Sequence, residues 1–489
     1  MPFLIEHITA VVIAILVVVL LGTGALIGAA IARRQRRDKY FQRLDDLRRR
    51  YSPVIASVLA QTLDYNRGLA VLKGISGLDR IHVLEQLCLE KKPTPDQGPI
   101  LCRLCEDLGL VEAWQRQLTG RLARASIREA LGRPEGLLER VGRLAFLVRA
   151  KSAENLGIIQ HHASWPLLVK ALEDPHPDVQ AVAVRSLAAI REPESFPVLV
   201  ARLQAVVLKP SAALSLRAVK TAVVSFPLER AIGLLPSLQH SHRRIRFLAT
   251  DIIREMVERQ AALEENFVLE PKIFPRELAE VFLAQLPFDE NPDVRARSTS
   301  VITYLPDPRS TPGLLALLED SQWFVRLHAV RAFAKHKFLP QAPHIAQRLT
   351  DPDWMVREAA TRALLVFGRA GSDQLAVHFL ETPDRYSQEQ IADEMQRAGL
   401  IPTYVAQYVR EKDSLEGRVI EQLIHMGKTS YVVSMLREST EHALRRKFLT
   451  SFGRHPDPQI RAWVRHLATG EPDKELRSLA ESTIRIAAS

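Results

Sequence analysis

The chain has 489 residues, of which 47% are apolar, 25% charged and 3 are cysteine, and its formal net charge is +10. The apolar content excludes disorder over most of that length, and so few cysteines exclude a disulfide framework and fit a reducing compartment. The charge does not argue for nucleic acid, because residues 33–50 alone hold nine Arg or Lys against three Asp and the rest of the chain is near neutral.

Residues 1–7 read as a short extracytoplasmic N-terminus and residues 8–32 as a transmembrane helix. Ile8 to Ala32 is 25 residues without a charge, and at about 1.5 Å per residue it crosses a hydrocarbon core of about 30 Å. Val11 to Leu21 is rich in β-branched residues, which in water would suggest a strand. In lipid a single span must satisfy its backbone internally and is therefore a helix. Gly24 and Gly28 fit the small-xxx-small pattern, so the span is a candidate for pairing two copies of the chain. Arg33, Arg34, Arg36 and Arg37 follow at once, while only Glu6 stands on the other side. The positive-inside bias then predicts the N-terminus outside and the rest in the cytoplasm, with the four arginines on anionic headgroups. Ala30-Ile31-Ala32 has the small-residue form of a signal cleavage site, but no Lys or Arg precedes the apolar run, and the run is too long for a typical signal.

Residues 33–51 continue as a basic juxtamembrane helix, with Tyr40, Leu44, Leu47 and Tyr51 recurring at helical spacing. Residues 52–136 form a helical N-terminal cap region, interrupted by the Pro-rich stretch Lys91 to Pro99. Cys88, Cys102, Cys105 and His82 contain the elements of a Cys₃His zinc site. The C-x-x-C pair lies in a leucine-rich helical run, however, which favours packing of the thiols as small apolar groups.

From residue 137 the chain repeats itself. Val294-Arg295, Val325-Arg326 and Val356-Arg357 are spaced by 31 residues, and Asp289, Asp320 and Asp351 precede them by five. Weaker copies stand at Val148-Arg149, Val179-Gln180, Leu216-Arg217 and Ile245-Arg246. Residues 137–370 are read as this array, with an insert near 258–274 expected to protrude, and residues 371–489 as degenerate repeats and a C-terminal cap. Each unit reads as two helices. The first starts at Ser164, Ser195 or Thr311 with an early Pro, and the second opens at Asp178, Asp293 or Asp353 as cap. One helix pair cannot hide its apolar stripes, but stacked pairs can. The fold class predicted is all-α, an α-solenoid preceded by one transmembrane helix.

The form D-x₄-V-R-x-x-A-x-x-A resembles the HEAT repeat, in particular the short bacterial type related to phycobilisome lyases. The resemblance implies a ladder of hydrogen bonds in which Asp and Arg join adjacent units, making Arg295, Arg326 and Arg357 structural. It also implies interruptions where Gln180 replaces Arg and His240 replaces Asp.

No H-E-x-x-H, G-x-S-x-G, Walker or G-x-G-x-x-G pattern occurs, so no catalytic residue, cofactor or metal is assigned. Helical phasing from the core valines leaves Ala296 and Ser300, Leu327 and Arg331, and Glu358 and Arg362 on the face of the second helices; with His328 and Lys335 added, this is the candidate protein-binding surface. The function expected is a membrane-anchored scaffold that binds a membrane-associated protein partner at the cytoplasmic face, within a complex that builds or exports an envelope polymer. The alternatives are a lyase-like modifying enzyme and a nucleic-acid-binding array. A basic stripe with aromatics, which nucleic acid would want, is missing, and no nucleic acid is expected as partner.

Overall fold

Val294, Val325 and Val356 are fully buried, and Ala329, Ala332, Ala360 and Ala363 are buried with them. The repeated apolar positions are thus the inward stripe of successive helices, as their spacing requires. The computed structural model describes residues 2–75, 80–90, 93–120, 137–209, 214–264, 267–270, 273–411, 413–439 and 441–488. Side chains are not described for 2–15, 18, 36, 37, 40, 41, 44, 82, 137–144, 409, 487 and 488. Among the described residues the chain is helical, without strands.

It divides into two compact units, Met1–Phe226 and Pro227–Ser489. The first unit contains α1 (Pro2–Leu59), α2 (Tyr65–Lys73), α3 (Arg80–Cys88), α4 (Gly98–Asp107), α5 (Leu110–Leu118), α6 (Leu137–Ile158), α7 (Trp165–Ala171), α8 (Pro177–Ile190), α9 (Ser195–Leu208) and α10 (Leu216–Val224). The second opens with α11 (Leu235–Leu238), α12 (Arg243–Ala261), α13 (Arg276–Ala284), α14 (Pro292–Ile302), α15 (Thr311–Leu318), α16 (Trp323–His336), α17 (Ala342–Ala346) and α18 (Trp354–Val366). It continues through α19 (Arg369–Glu381), α20 (Arg385–Arg397), α21 (Leu400–Arg410), α22 (Leu415–His425), α23 (Thr429–Glu438), α24 (His442–Phe452), α25 (Pro458–Gly470) and α26 (Lys474–Ala488).

Helix α1 is 58 residues long, roughly 87 Å at the standard rise. Its C-terminal end packs on α2 and α3, where Ile55 and Val58 are buried. Further up, Leu16, Val17, Leu20, Leu21, Leu26 and Ile27 are exposed. Among the described residues no helix is long and apolar enough to cross a membrane. The expected span 8–32 is therefore not supported over its described residues; the side chains of 8–15 and 18 lie outside them.

In the repeats the second helices pack on one another: α6 on α8 in the first unit, and α12, α14, α16 and α18 in succession in the second. The Asp and Arg of the repeated motif join them. Arg295 Nε and Nη2 donate to the Asp320 carboxylate at 2.6 and 2.9 Å, and Arg326 donates likewise to Asp351 at 2.7 and 2.6 Å. Arg149 to Asp174 and Arg246 to Asp289 repeat the pattern. The third guanidinium nitrogen holds the turn of its own repeat: Nη1 of Arg295, Arg326 and Arg357 each donates at 2.8 Å to the carbonyl of Asp289, Asp320 and Asp351. Each carboxylate also accepts the backbone N–H two residues on, as Asp351 does from Asp353 at 3.0 Å. Gln180 keeps only the local half of this, donating to the Asp174 carbonyl at 2.6 Å. The ladder stops after Arg357, where Thr382 occupies the Asp position and Arg357 turns to Gln390. It resumes in the degenerate region, where Arg445 donates to Glu471 at 2.8 Å and Arg477 donates to the Glu471 carbonyl at 2.8 Å.

Two local expectations change. The caps of α8 and α14 are His176 and Asn291, whose side chains accept from the N–H of Asp178 and Asp293. Pro177 and Pro292 take the first helical position, which leaves the expected Asp caps at the second, where they meet the positive helix end. Asp353 does cap α18, accepting from Met355 at 2.9 Å. The insert near 258–274 does not protrude over its described residues. Phe267, Leu269 and Phe274 are buried, and the Leu269 N–H donates to the Tyr304 carbonyl at 2.8 Å. Three large apolar residues within eight positions pull it back onto the stack.

Candidate functional site

The second-helix face of the second unit carries a cleft of about 170 Å³ between α16 and α18, lined by Arg331, Ala334, Met355, Glu358, Ala359, Arg362, Ala363 and Val366. It exists because the small residues Ala334, Ala359 and Ala363 stand where the two helices approach. Larger residues stand one turn away, so the floor is apolar and the rim is charged. Of the residues singled out from sequence, Arg331, Glu358 and Arg362 meet here. Lys335 is exposed one turn beyond Arg331 on the same helix.

Leu327 does not belong to this surface: it is only 5% exposed. Phasing from Val325 alone put it outside, but a helix packed on both flanks buries more than one stripe. Ala296, its counterpart one repeat earlier, is buried for the same reason. His328 is half-buried, its Nδ1 3.2 Å from Ser300 Oγ on α14. Burial first, then the guanidinium groups of Arg331, Arg297 and Arg254, push its imidazole down to about 4. Three helices thus direct positive charge at one ring.

The charged rim is partly self-satisfied. Arg362 pairs with Glu358 at 2.7 Å and with Glu394 of α20 at 3.4 Å, and Glu394 also pairs with Arg397. Arg331 and Lys335 have no carboxylate partner among the described residues.

The remaining candidates lie elsewhere. Arg33 and Arg34 are exposed on α1, and the side chains of Arg36 and Arg37 lie outside the described residues. A Cβ added at Gly24 or Gly28 would meet nothing within 4 Å. Cys88 and Cys105 are buried and Cys102 half-buried, all as free thiols. A hydrogen bond with Cys88, then burial, raises the Cys105 thiol, and burial with Glu106 pushes Cys102 up to about 11, so both stay protonated. No cluster able to hold a metal occurs among the described residues, and the His82 side chain lies outside them.

One arrangement escaped the sequence reading because its members are far apart in the chain. His161 Nε2 lies 3.1 Å from Glu106 Oε1, and its Nδ1 lies 2.7 Å from Ser164 Oγ, in the order of a nucleophilic triad. Ser164 is fully buried, and its hydroxyl also accepts from Gln115 Nε2 at 2.9 Å. Ser195 and Ser310, the serines at the same turn of other repeats, are also buried and donate to backbone carbonyls three residues back. Ser164 is therefore the turn serine of its repeat. A second cavity, of about 470 Å³, lies between the end of α1 and α4, and its Tyr65 and Arg103 are already engaged. Tyr65 donates to Asp107 at 2.6 Å, and Arg103 covers the Tyr65 ring at 4.6 Å.

Residues 134–217 and 279–365 match the family model of HEAT repeats. No curated protein matches the chain. Among solved structures, Kap95p in complex with RanGDP is 14% identical over 90% of this chain and 61% of its own, with a TM-score of 0.40. Kap121p bound to the extreme C-terminus of the phosphatase Cdc14p is 12% identical over 88% of this chain and 53% of its own, at 0.38. Human deoxyhypusine hydroxylase is 18% identical over 59% of this chain and 96% of its own, at 0.23. The chain thus spans less than two thirds of the length of either Kap protein. The segment between the two matched stretches, 218–278, is the one where the spacing breaks and the insert lies. The 31-residue spacing and the Arg–Asp rungs fall within the stretches that match the family model of HEAT repeats, 134–217 and 279–365.

Proposed function

We propose that this protein is a non-catalytic scaffold of the short bacterial HEAT type, anchored by residues 8–32 in the cell membrane, with its repeats in the cytoplasm. It holds a membrane-associated protein partner on the second-helix face of its repeats. One observation carries the reading: the repeated charged residues are engaged in stacking, while Arg331 and Lys335 beside the cleft of α16 and α18 have no carboxylate partner. The anchor is supported by the uncharged run Ile8 to Ala32, by the exposed apolar side chains of α1 and by the arginines that follow. The Gly24 and Gly28 positions lie open, so two copies can pair there. A complex that builds or exports an envelope polymer is the partner expected.

The test is purification of the full chain from native membranes in mild detergent, followed by identification of what accompanies it. A stable membrane protein partner is expected. Recovery of the chain alone, or with nucleic acid at low salt only, would remove the scaffold reading. Chromophore or group transfer abolished by a Cys or His substitution would replace it with the enzymatic alternative.

A further inference from the structure

We propose that the cleft between α16 and α18 takes an acidic segment of the protein partner, seating one apolar side chain between Met355, Ala359, Ala363 and Val366 while its carboxylates meet Arg331, Lys335 and Arg362. This deepens the scaffold reading and rests on it. Charge complementarity selects the occupant. Around the cleft stand Arg331, Lys335, Arg362 and Arg397 against Glu358 and Glu394. Both acids are already bound to Arg362, and Glu394 also to Arg397. Two cations therefore remain without a counter-charge, on one side of the cleft and one helical turn apart. The positive field reaches deeper: Arg331, Arg297 and Arg254, from three helices, all act on His328. A basic segment would meet these groups with like charge and find no free carboxylate. The cleft's volume of about 170 Å³ suits one aliphatic or aromatic side chain, which gives the segment a fixed register. Val366, 52% exposed, and the half-buried Met355 leave the apolar floor open to it.

The test uses the full chain in detergent micelles and a displayed library of random twelve-residue peptides as the probe. Enrichment of peptides with an apolar residue flanked by Asp or Glu is expected. The selected peptide, made synthetically with a fluorophore, should bind about tenfold more weakly to Arg331→Glu and more weakly still to Arg331→Glu with Lys335→Gln. Neither side chain has an ion-pair partner among the described residues, so the thermal midpoints of the variants should match the parent. Ala359→Leu, at a half-buried position of the floor, is a second variant that should weaken binding without changing charge. Enrichment of basic or uncharged peptides, unchanged affinity in the charge variants, or displacement by a short DNA duplex at physiological salt would each overturn the proposal. A partner that co-purifies equally with the Arg331→Glu chain would overturn the cleft assignment and leave the scaffold standing. Absence of any partner on the parent chain would remove the scaffold itself.

Discussion

At the scale of single residues, the most conspicuous positions of the sequence are structural. Asp351 takes two hydrogen bonds from Arg326 and one from the Asp353 N–H, and its carboxylate is fully buried. Removing one member of a buried pair leaves the other charge uncompensated, so Asp351→Ala is expected to cost about 3–5 kcal/mol. Arg309 pairs with Asp307 with similar geometry but is itself exposed to water, so Arg309→Gln should leave the unfolding midpoint nearly unchanged. Urea unfolding of both variants checks the contrast. His328 supplies the pH-dependent case. Its imidazole is held at about 4 against an ordinary 6.5, so the unfolded chain takes up a proton before the folded one does. Stability from this group is complete above pH 6.5 and is lost as pH falls toward 4, by on the order of 3 kcal/mol. His328→Gln should flatten the fall in thermal midpoint across that window; an unchanged slope would show that other groups control it. The Asp and Arg of the rungs were legible in sequence because they recur with the repeat, and their pairing came from the resemblance to the HEAT repeat. The Arg445–Glu471 rung was not, because Glu stands where the motif has Asp and the spacing had already blurred. Leu327 was misplaced because its burial depends on neighbours that one helix's phase does not reveal.

At the scale of elements, helix ends and close approaches decide stability. α16 ends on Lys337 with φ of 53°, a left-handed conformation that costs a side-chain-bearing residue about 1 kcal/mol. Lys337→Gly should raise stability by about 0.5–1 kcal/mol, read as a later denaturation midpoint. Gly157 lies where α6 meets α8, and a Cβ there would stand 2.8 Å from the Ser186 Cα. Backbone cannot step aside as a side chain can, so Gly157→Ala is expected to lose about 1–3 kcal/mol and to raise hydrogen exchange in both helices. Helix pairs, their early prolines and their number in the clear repeats followed from periodicity. The caps did not, because an Asn or His two residues ahead of the Asp accepts that Asp's own N–H once Pro takes the first helical position. The insert was read from its break in spacing as a protrusion. Its buried Phe267, Leu269 and Phe274 were in plain view, and counting them would have predicted a return to the stack.

For the whole molecule, the proposed membrane anchor is what an experiment must decide, since a binding face serves a membrane-associated partner only if it is held there. Two physical modes compete. A helix that spans the bilayer is held by burial of its apolar run and withstands alkaline carbonate. A helix that lies on the surface through Arg33, Arg34, Arg36 and Arg37 is held by charge and leaves in high salt. The exposed Leu16, Val17, Leu20 and Leu21 on the N-terminal part of α1 favour the first, because so many uncovered large side chains on one helix would otherwise face water. An Arg at the centre of a span costs about 2.5–3.5 kcal/mol on insertion scales, and two such residues exceed what the remaining apolar side chains offset. The parent chain is therefore expected to sediment with membranes after carbonate, and the Val17→Arg, Leu20→Arg chain to appear in the soluble fraction. Replacing the four arginines by Gln should leave the chain in the membrane but weaken its fixed orientation, seen as protease access to the repeats from the outer side. Release of the parent by salt alone would assign the contact to the arginines and withdraw the span.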